Sequence, residues 1–120
     1  MKKTQSPLLS IILPTKNGEQ YISGALNSIL EQKYDNLEVI VVDGASTDKT
    51  LEVLKGFSDV YPFIKVVSEP DSGQSEALNK GLRLAQGEIL GILNDDDFYS
   101  PGAFREAISL LLESNNPTLV

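Results

Sequence analysis

The chain has 120 residues, of which 41% are hydrophobic and 22% are charged, and its net charge is −7. This length suits one domain or part of one, and it is enough to bury a substantial core. The negative charge argues against nucleic acid as a partner, because phosphate backbones are bound by clustered Lys and Arg. The absence of His and Cys excludes His-based catalytic triads, His-ligated zinc, disulfides and thiolate metal sites.

The apolar runs of the chain are short. None approaches the roughly 18 consecutive apolar residues that a membrane span requires. Residues 8–13 are also too few for the hydrophobic segment of a secretory signal. Together with the lack of Cys, this favours a cytoplasmic location. Peripheral attachment of a full-length protein to a membrane is left open.

Apolar runs alternate with segments of helical periodicity along the whole chain. The predicted strands are residues 10–13, 39–42, 64–67 and 89–93, and the predicted helices are residues 21–32, 48–55, 75–85 and a last segment that Ser100 caps and Pro101 begins. Pro14 is expected to end the first strand, and Gly56 is expected to end the second helix. Single helices between strands predict right-handed crossovers. The predicted fold class is therefore α/β, with three α/β/α layers around a mainly parallel sheet of at least four strands.

The third strand is expected near a sheet edge, because Lys65 interrupts it. Helical spacing places Leu82 and Leu112 on buried faces, and Lys80 is expected in solvent. Residues 115–117 form a turn signal, and residues 118–120 resemble the start of another strand. We therefore expect residues 1–120 to form a single, truncated domain. Its open sheet edge and apolar helix faces predict self-association.

Polar loops follow three of the predicted strands, at residues 14–19, 43–48 and 94–97, and the loop after the third strand adds residues 69–74. The carboxyl ends of parallel strands meet at one edge of a sheet, where open α/β sheets bind their ligands. The last loop contains three consecutive Asp residues. Two unit charges 4 Å apart repel by roughly 1 kcal/mol in water and by about 4 kcal/mol at an effective dielectric near 20. Such a loop is either well solvated or holds a divalent cation, and hard carboxylate oxygens suit Mg²⁺ or Mn²⁺.

Two phosphate-binding signatures are missing. No G-x-G-x-x-G follows the first strand, and no G-x-x-x-x-G-K-[ST] is present, so dinucleotide-binding and P-loop interpretations lose their main support. A receiver-like signalling domain clusters its acidic residues after strands one and three, whereas here they follow strands two and four. A nucleotidyltransferase would carry a glycine-rich loop after strand one, which is also absent.

Five sequence blocks, in order and at regular separations, resemble the family-two inverting glycosyltransferases of the GT-A fold. The blocks are residues 10–19, 41–50, 71–81, 85–88 and 93–97. Each block alone is a weak signal, but the resemblance extends over about residues 9–102. It implies transfer of a sugar from a nucleoside diphosphate sugar, with a UDP-sugar expected, to the hydroxyl of an unidentified acceptor. The chain would then be the N-terminal, donor-binding half of a Rossmann-like GT-A domain.

The resemblance also implies roles for individual residues. Pro14 and Thr15 would border the base pocket, and Glu19 would lie at the nucleotide site. Asp43 would accept a hydrogen bond from the base. The helix that follows the third strand would add Asn79 to the donor contacts.

The acidic loop corresponds to the family's D-x-D-like motif. Asp95 would face the ribose or the metal, and Asp96 would ligate Mg²⁺ or Mn²⁺ bridging the diphosphate. The family often has Asp at the first motif position, where this chain has Asn94, so the complete ligand set is left open. Inversion needs a general base, and the family's carboxylate base is expected beyond Val120. The alternative is a fragment that binds nucleotide sugar without turnover.

Overall fold

The computed structural model describes residues 7–114 as alternating strands and helices. The strands are β1 (Leu9–Thr15), β2 (Leu37–Asp43), β3 (Ile64–Ser68) and β4 (Ile89–Ile92), and the helices are α1 (Ile22–Leu30), α2 (Thr50–Val60), α3 (Gln74–Leu84) and α4 (Ala103–Ser114). The four strands predicted between residues 10 and 93 and the four predicted helices are therefore present. The predicted strand at residues 118–120 lies outside the described residues.

The four strands form one parallel sheet in the order β3-β2-β1-β4. β1 is central and pairs with β2 along its whole length, from Leu9↔Leu37 to Thr15↔Asp43. Its pairing with β4 is shorter and ends at Ile12↔Ile92. β3 lies at an edge, as the charge of Lys65 predicted. The carboxyl ends of the strands consequently meet at one edge of the sheet.

β1 continues through Pro14 to Thr15, so the expectation that Pro14 ends the strand is wrong. Pro has no N–H for a ladder bond, and the backbone groups of successive residues face opposite neighbours. The Ile12 carbonyl accepts the Leu93 N–H at 3.0 Å on the β4 side, and the Thr15 carbonyl accepts the Gly44 N–H at 2.9 Å on the β2 side. Pro14 therefore faces the β4 side, beyond the last residue of that strand, where no ladder bond is lost.

The helices cover both faces of the sheet, which confirms the three-layer α/β/α fold. One face packs against α1, α2 and α4, and its core includes Leu13, Val41 and Phe104. The other packs against α3 through Ile40, Val42 and Ala77. These alternating contacts follow from the two-residue period of a strand.

α3 approaches β1 closely at Gly81. A Cβ on this residue would lie only 2.4 Å from Ile12 Cγ2. Two helix faces differ from the prediction, since Leu82 is 41% exposed and Leu112 is 58% exposed. Within residues 7–114, no helix combines the length and the apolar character needed to cross a membrane.

The start and end of α2 also differ from the sequence expectation. Gly56 lies inside the helix, which continues to Val60, so its predicted role as the terminating residue is wrong. The helix begins at Thr50, where the Asp48 carboxylate accepts the Thr50 N–H at 2.9 Å. A glycine within a helix costs roughly 0.5–1 kcal/mol relative to Ala. Packing of Leu54 in the core offsets this local preference.

A buried carboxylate closes the amino end of the sheet. Glu38 is only 4% exposed. Its Oε2 accepts hydrogen bonds from Ser10 Oγ and from Gln86 N, both at 2.6 Å, and its Oε1 lies 3.1 Å from Lys65 Nζ. Burial acts to raise the pKa of Glu38, but the donors from Gln86, Ser10 and Lys65 outweigh it and hold the pKa below its usual value.

Candidate functional site

The loops after β1, β3 and β4 enclose a cavity of about 380 Å³ at the carboxyl edge of the sheet. This volume is within the roughly 300–1,000 Å³ typical of small-molecule sites. The lining residues come from all three loops and from the start of α3: Pro14, Thr15, Lys16, Asp71, Gly73, Gln74, Ala77, Asn94, Asp95 and Asp96. Four predicted site residues, Pro14, Thr15, Asp95 and Asp96, are therefore brought together.

The acidic loop is fastened to the end of β1. Thr15 Oγ1 donates a hydrogen bond of 2.6 Å to Asp95 Oδ2. Gly18 leaves room for this carboxylate, since a Cβ at that position would lie 2.4 Å from Asp95 Oδ2. Asp95 is half-buried, and the neighbouring Asp96 is exposed.

Asp43 lies at the same edge of the sheet, but it does not line the cavity. It is fully buried, and its carboxylate accepts hydrogen bonds from Ser46 N at 2.9 Å, from Ser46 Oγ and from Ser68 Oγ at 2.8 Å. The next residue, Gly44, packs against Asp71, whose carboxylate oxygens would be 3.0 Å from a Cβ there. Asp71, rather than Asp43, is thus the carboxylate from this side that lines the cavity.

Glu19 and Asn79 do not line the cavity. Glu19 is exposed, and its Oε1 accepts the Lys49 N–H at 3.0 Å, at the start of α2. Asn79 is exposed on α3, two residues after the cavity-lining Ala77. Residues two apart on a helix point in different directions. The structure therefore separates both side chains from the cavity.

The loop before α3 and the start of this helix contribute residues to which the sequence prediction assigned no individual role. Gly73 precedes this helix with φ 137°, a backbone conformation that favours glycine. Its N–H donates a hydrogen bond to Asp71 Oδ1 at 3.1 Å. Gln74 Nε2 donates to Asn94 Oδ1, which joins this helix to the acidic loop. The block 71–81 was the available signal, but it did not indicate which of its residues face the cavity.

Lys16 and Lys80 occupy different environments. Lys16 is exposed and lines the cavity. Lys80 was expected in solvent but is only 9% exposed. Its Nζ lies 2.8 Å from Glu69 Oε1, and this hydrogen bond is the main reason why the pKa of Lys80 is raised. Lys16 is therefore the lysine placed to meet an anion in the cavity.

The oxygen donors at the cavity fit a divalent cation that is shared with a ligand. In the part of the chain that the structure describes, no three acidic side chains converge into a protein-only metal site. The cavity instead offers the exposed Asp96 carboxylate, the half-buried Asp95 and the Asn94 amide. Mg²⁺ typically binds through one or two carboxylates, water and substrate phosphates. The donor set matches that pattern.

A parallel α/β sheet with a polar cavity at its carboxyl edge is the arrangement of nucleotide-binding α/β domains. The sequence profile of glycosyl transferase family 2 matches residues 10–118. The chain therefore belongs to this family, as the five sequence blocks predicted.

Two curated relatives illustrate the similarity. An uncharacterized glycosyltransferase of Haemophilus influenzae is 34% identical over 110 residues, which cover 91% of the chain and 44% of that protein. Chondroitin synthase of Escherichia coli is 36% identical over 111 residues, which cover 87% of the chain and 16% of that enzyme. The chain thus spans less than half the length of either relative.

Two solved structures share the fold. TarS of S. aureus in complex with UDP-GlcNAc superposes with a TM-score of 0.83 at 30% identity, covering 90% of the chain and 32% of that structure. The mannosyltransferase PcManGT from Pyrobaculum calidifontis, in complex with GDP-Man and Mn²⁺, gives a TM-score of 0.82 at 35% identity, covering 90% of the chain and 33% of that structure. These similarities confirm the predicted GT-A fold.

Proposed function

We propose that this chain binds the donor of a metal-assisted, inverting glycosyltransferase that uses a UDP-sugar. The observation that carries the proposal is the composition of the 380 Å³ cavity. It combines an exposed carboxylate, Asp96, with a lysine, Lys16, and with the start of α3. An acidic protein needs such local features to hold a diphosphate.

The start of α3, Lys16 and the cation that Asp96 would hold all support diphosphate binding. The N-terminal N–H groups and the dipole of α3 favour an anion. Lys16 supplies a positive charge at the cavity. When bound, Mg²⁺ or Mn²⁺ would stabilise the negative charge that develops on the leaving diphosphate. Asp96 would hold that cation, and the half-buried Asp95 would face the ribose.

Pro14 and Thr15 are proposed to border the base, because both line the cavity at the end of β1. For Asp43, Glu19 and Asn79, a donor contact stays a prediction from the family resemblance, since none of the three lines the cavity. The general base also stays a prediction, placed beyond Val120. TarS binds UDP-GlcNAc and PcManGT binds GDP-Man. Whether this chain prefers uracil or guanine in its nucleotide therefore needs a direct comparison.

Calorimetric titration with UDP and GDP, each with and without Mn²⁺, tests the proposal. We expect UDP to bind with Mn²⁺ and to bind more tightly than GDP. Asp96→Ala should weaken Mn²⁺-dependent binding by at least tenfold, since it removes the charged cation ligand. Asp97→Ala is the matched control, because Asp97 belongs to the same loop but does not line this cavity. Equal UDP affinity in the Asp96→Ala variant and the wild type would refute the metal role.

The alternative, binding without turnover, is separated by assaying the 120-residue chain itself. Release of sugar from a UDP-sugar, or its transfer to an added glycan, would reject this alternative.

A cytoplasmic location stays a prediction that cell fractionation tests.

Self-association of this chain is proposed to use β4, which is an edge strand of the described sheet. The unpaired backbone groups of such an edge can pair with a second chain. Sedimentation at micromolar concentration should then show dimers or larger species. A clean monomer would contradict this.

A further inference from the structure

The turn that carries Asp96 has few attachments to the rest of the protein. Asp95 and Asp96 are the two central residues of a turn that the Asp97 N–H closes on the Asn94 carbonyl at 3.1 Å. One end of this turn is linked to α3 through the side chains of Gln74 and Asn94. The Asp96 side chain itself is exposed. Its position over the cavity therefore depends on how the rest of the turn is held.

A second attachment of the turn is the hydrogen bond from Thr15 to Asp95. It joins residues 80 positions apart, and its length of 2.6 Å is typical of a hydroxyl bonded to a charged oxygen. Thr15 is only 6% exposed, so water competes little for its hydroxyl. Thr15 also belongs to β1, one of the two inner strands of the sheet, which makes it a rigid anchor.

Gly18 shapes the other side of the same contact. A Cβ on Gly18 would lie 2.4 Å from Asp95 Oδ2 and 2.7 Å from Thr15 Oγ1, both far inside van der Waals contact. Gly18 is also held in place, because its N–H donates to Thr50 Oγ1 at the start of α2, at 2.9 Å. The Asp95 carboxylate therefore accepts the Thr15 hydroxyl and occupies the space that a side chain at position 18 would fill.

We propose that Thr15 is a positioning residue: with Gly18, it holds Asp95 so that the turn presents Asp96 to the cation of the bound donor. This inference rests on the proposed function. It assigns Thr15 a role in cation-dependent binding that is separate from any contact with the base. The role requires the hydroxyl, and it requires that position 18 has no Cβ.

The test compares UDP affinity in the presence and absence of Mn²⁺ for the wild type and two Thr15 variants. Thr15→Val keeps the shape of the side chain but removes the donor, and it should weaken Mn²⁺-dependent UDP binding roughly tenfold, as expected for a lost hydrogen bond to a charged group. Thr15→Ser retains the hydroxyl and should stay within about twofold of the wild type. UDP binding without Mn²⁺ is measured for both variants as well, because it reports any contact of Thr15 with the base. For Thr15→Val, the loss measured with Mn²⁺ should clearly exceed the loss measured without it.

Gly18→Ala provides a second, independent variant. It leaves the Thr15 hydroxyl and the Asp95 carboxylate in the chain, but its methyl group occupies the space that the carboxylate needs. We expect a loss of Mn²⁺-dependent affinity similar to that of Thr15→Val. The double variant should lose little more Mn²⁺-dependent affinity than the single variant with the larger loss, since both changes break the same contact. Thermal melting of each variant checks that it is folded.

The outcomes separate this inference from the proposed function. If wild-type protein does not bind UDP with Mn²⁺, the proposed function fails. If it binds and Thr15→Val binds equally well, only the positioning role is overturned. An equal loss in Thr15→Ser and Thr15→Val would also overturn it, because the hydroxyl would then not be the cause.

Discussion

The two ends of the sheet both contain carboxylates, but these carboxylates differ in their burial and in the number of their hydrogen-bond partners. At the amino end, Glu38 is buried and receives hydrogen bonds from Ser10 and Gln86, together with an ion pair from Lys65. At the carboxyl end, Asp95 receives one hydroxyl bond and Asp96 is exposed beside a cavity. The first arrangement uses the acceptor capacity of a carboxylate within the protein. The second leaves that capacity for a ligand.

Asp43 is intermediate between these two cases. It lies at the carboxyl end, yet it is buried and its carboxylate accepts three hydrogen bonds, from Ser46 N, Ser46 Oγ and Ser68 Oγ. No lysine forms an ion pair with it in the described residues. The comparison therefore predicts that Glu38 and Asp43 both stabilise the fold, and that Asp96 contributes mainly to binding.

Glu38→Ala should have the largest effect on stability. It leaves the buried Ser10 hydroxyl and the part-buried Gln86 N–H without their acceptor, which should cost about 3 kcal/mol of unfolding free energy. Urea denaturation measures this loss. Glu52→Ala, on the exposed face of α2, is the control and should change stability by less than about 0.5 kcal/mol. Equal effects of the two substitutions would contradict the role of Glu38.

Asp43→Ala should cost somewhat less, about 2 kcal/mol, because Ser46 and Ser68 lie near the surface and water can replace part of the lost bonding. The same urea experiment measures the loss, with Asp97→Ala as the exposed control. A destabilisation no larger than that of the control would show that the buried bonds of Asp43 do not support the fold.

The pH dependence of stability should sharpen the comparison further. Because the folded pKa of Glu38 is lowered, its contribution to stability is fully present above the unfolded pKa of about 4.3 and is lost as the pH falls through the folded pKa. Urea midpoints measured from pH 6 down to pH 3 should therefore decline more steeply in the wild type than in Glu38→Gln. Parallel declines would contradict the lowered pKa.

Lys65→Met should have the smallest effect. The Lys65 side chain is 54% exposed, and exposed ion pairs contribute roughly 0–1 kcal/mol. Glu38 also keeps its bonds to Ser10 and Gln86 in this variant. We expect a loss of at most about 0.5 kcal/mol by urea denaturation. A loss equal to that of Glu38→Ala would mean that the ion pair, rather than the hydrogen bonds, stabilises the amino end.

The order and type of the elements were predictable because strand and helix periodicities are local properties. Element ends were less predictable. Pro14 lies inside β1 because β4 ends early, and Gly56 lies inside α2 because Leu54 and its neighbours pack in the core. Both outcomes depend on contacts distant in sequence. The exposure of Leu112 likewise depends on what α4 packs against.

The edge of the sheet that carries the site was predictable from topology, and Pro14, Thr15, Asp95 and Asp96 do line one cavity. Side-chain direction was not predictable. The sequence gives no indication that the Asp43 carboxylate turns toward Ser46 and Ser68, since these bonds arise from the path of the loop. The roles of Gly18 and Gly44 as spaces for carboxylates also emerge only from the folded chain.

Electron paramagnetic resonance of Mn²⁺ in the presence of UDP tests the central claim most directly. The account predicts a protein-bound Mn²⁺ signal for the wild type and for Glu38→Gln, and only the signal of the free Mn²⁺–UDP complex for Asp96→Ala at unchanged urea stability. A wild-type signal in folded Asp96→Ala would contradict the assignment of the cation to this edge of the sheet.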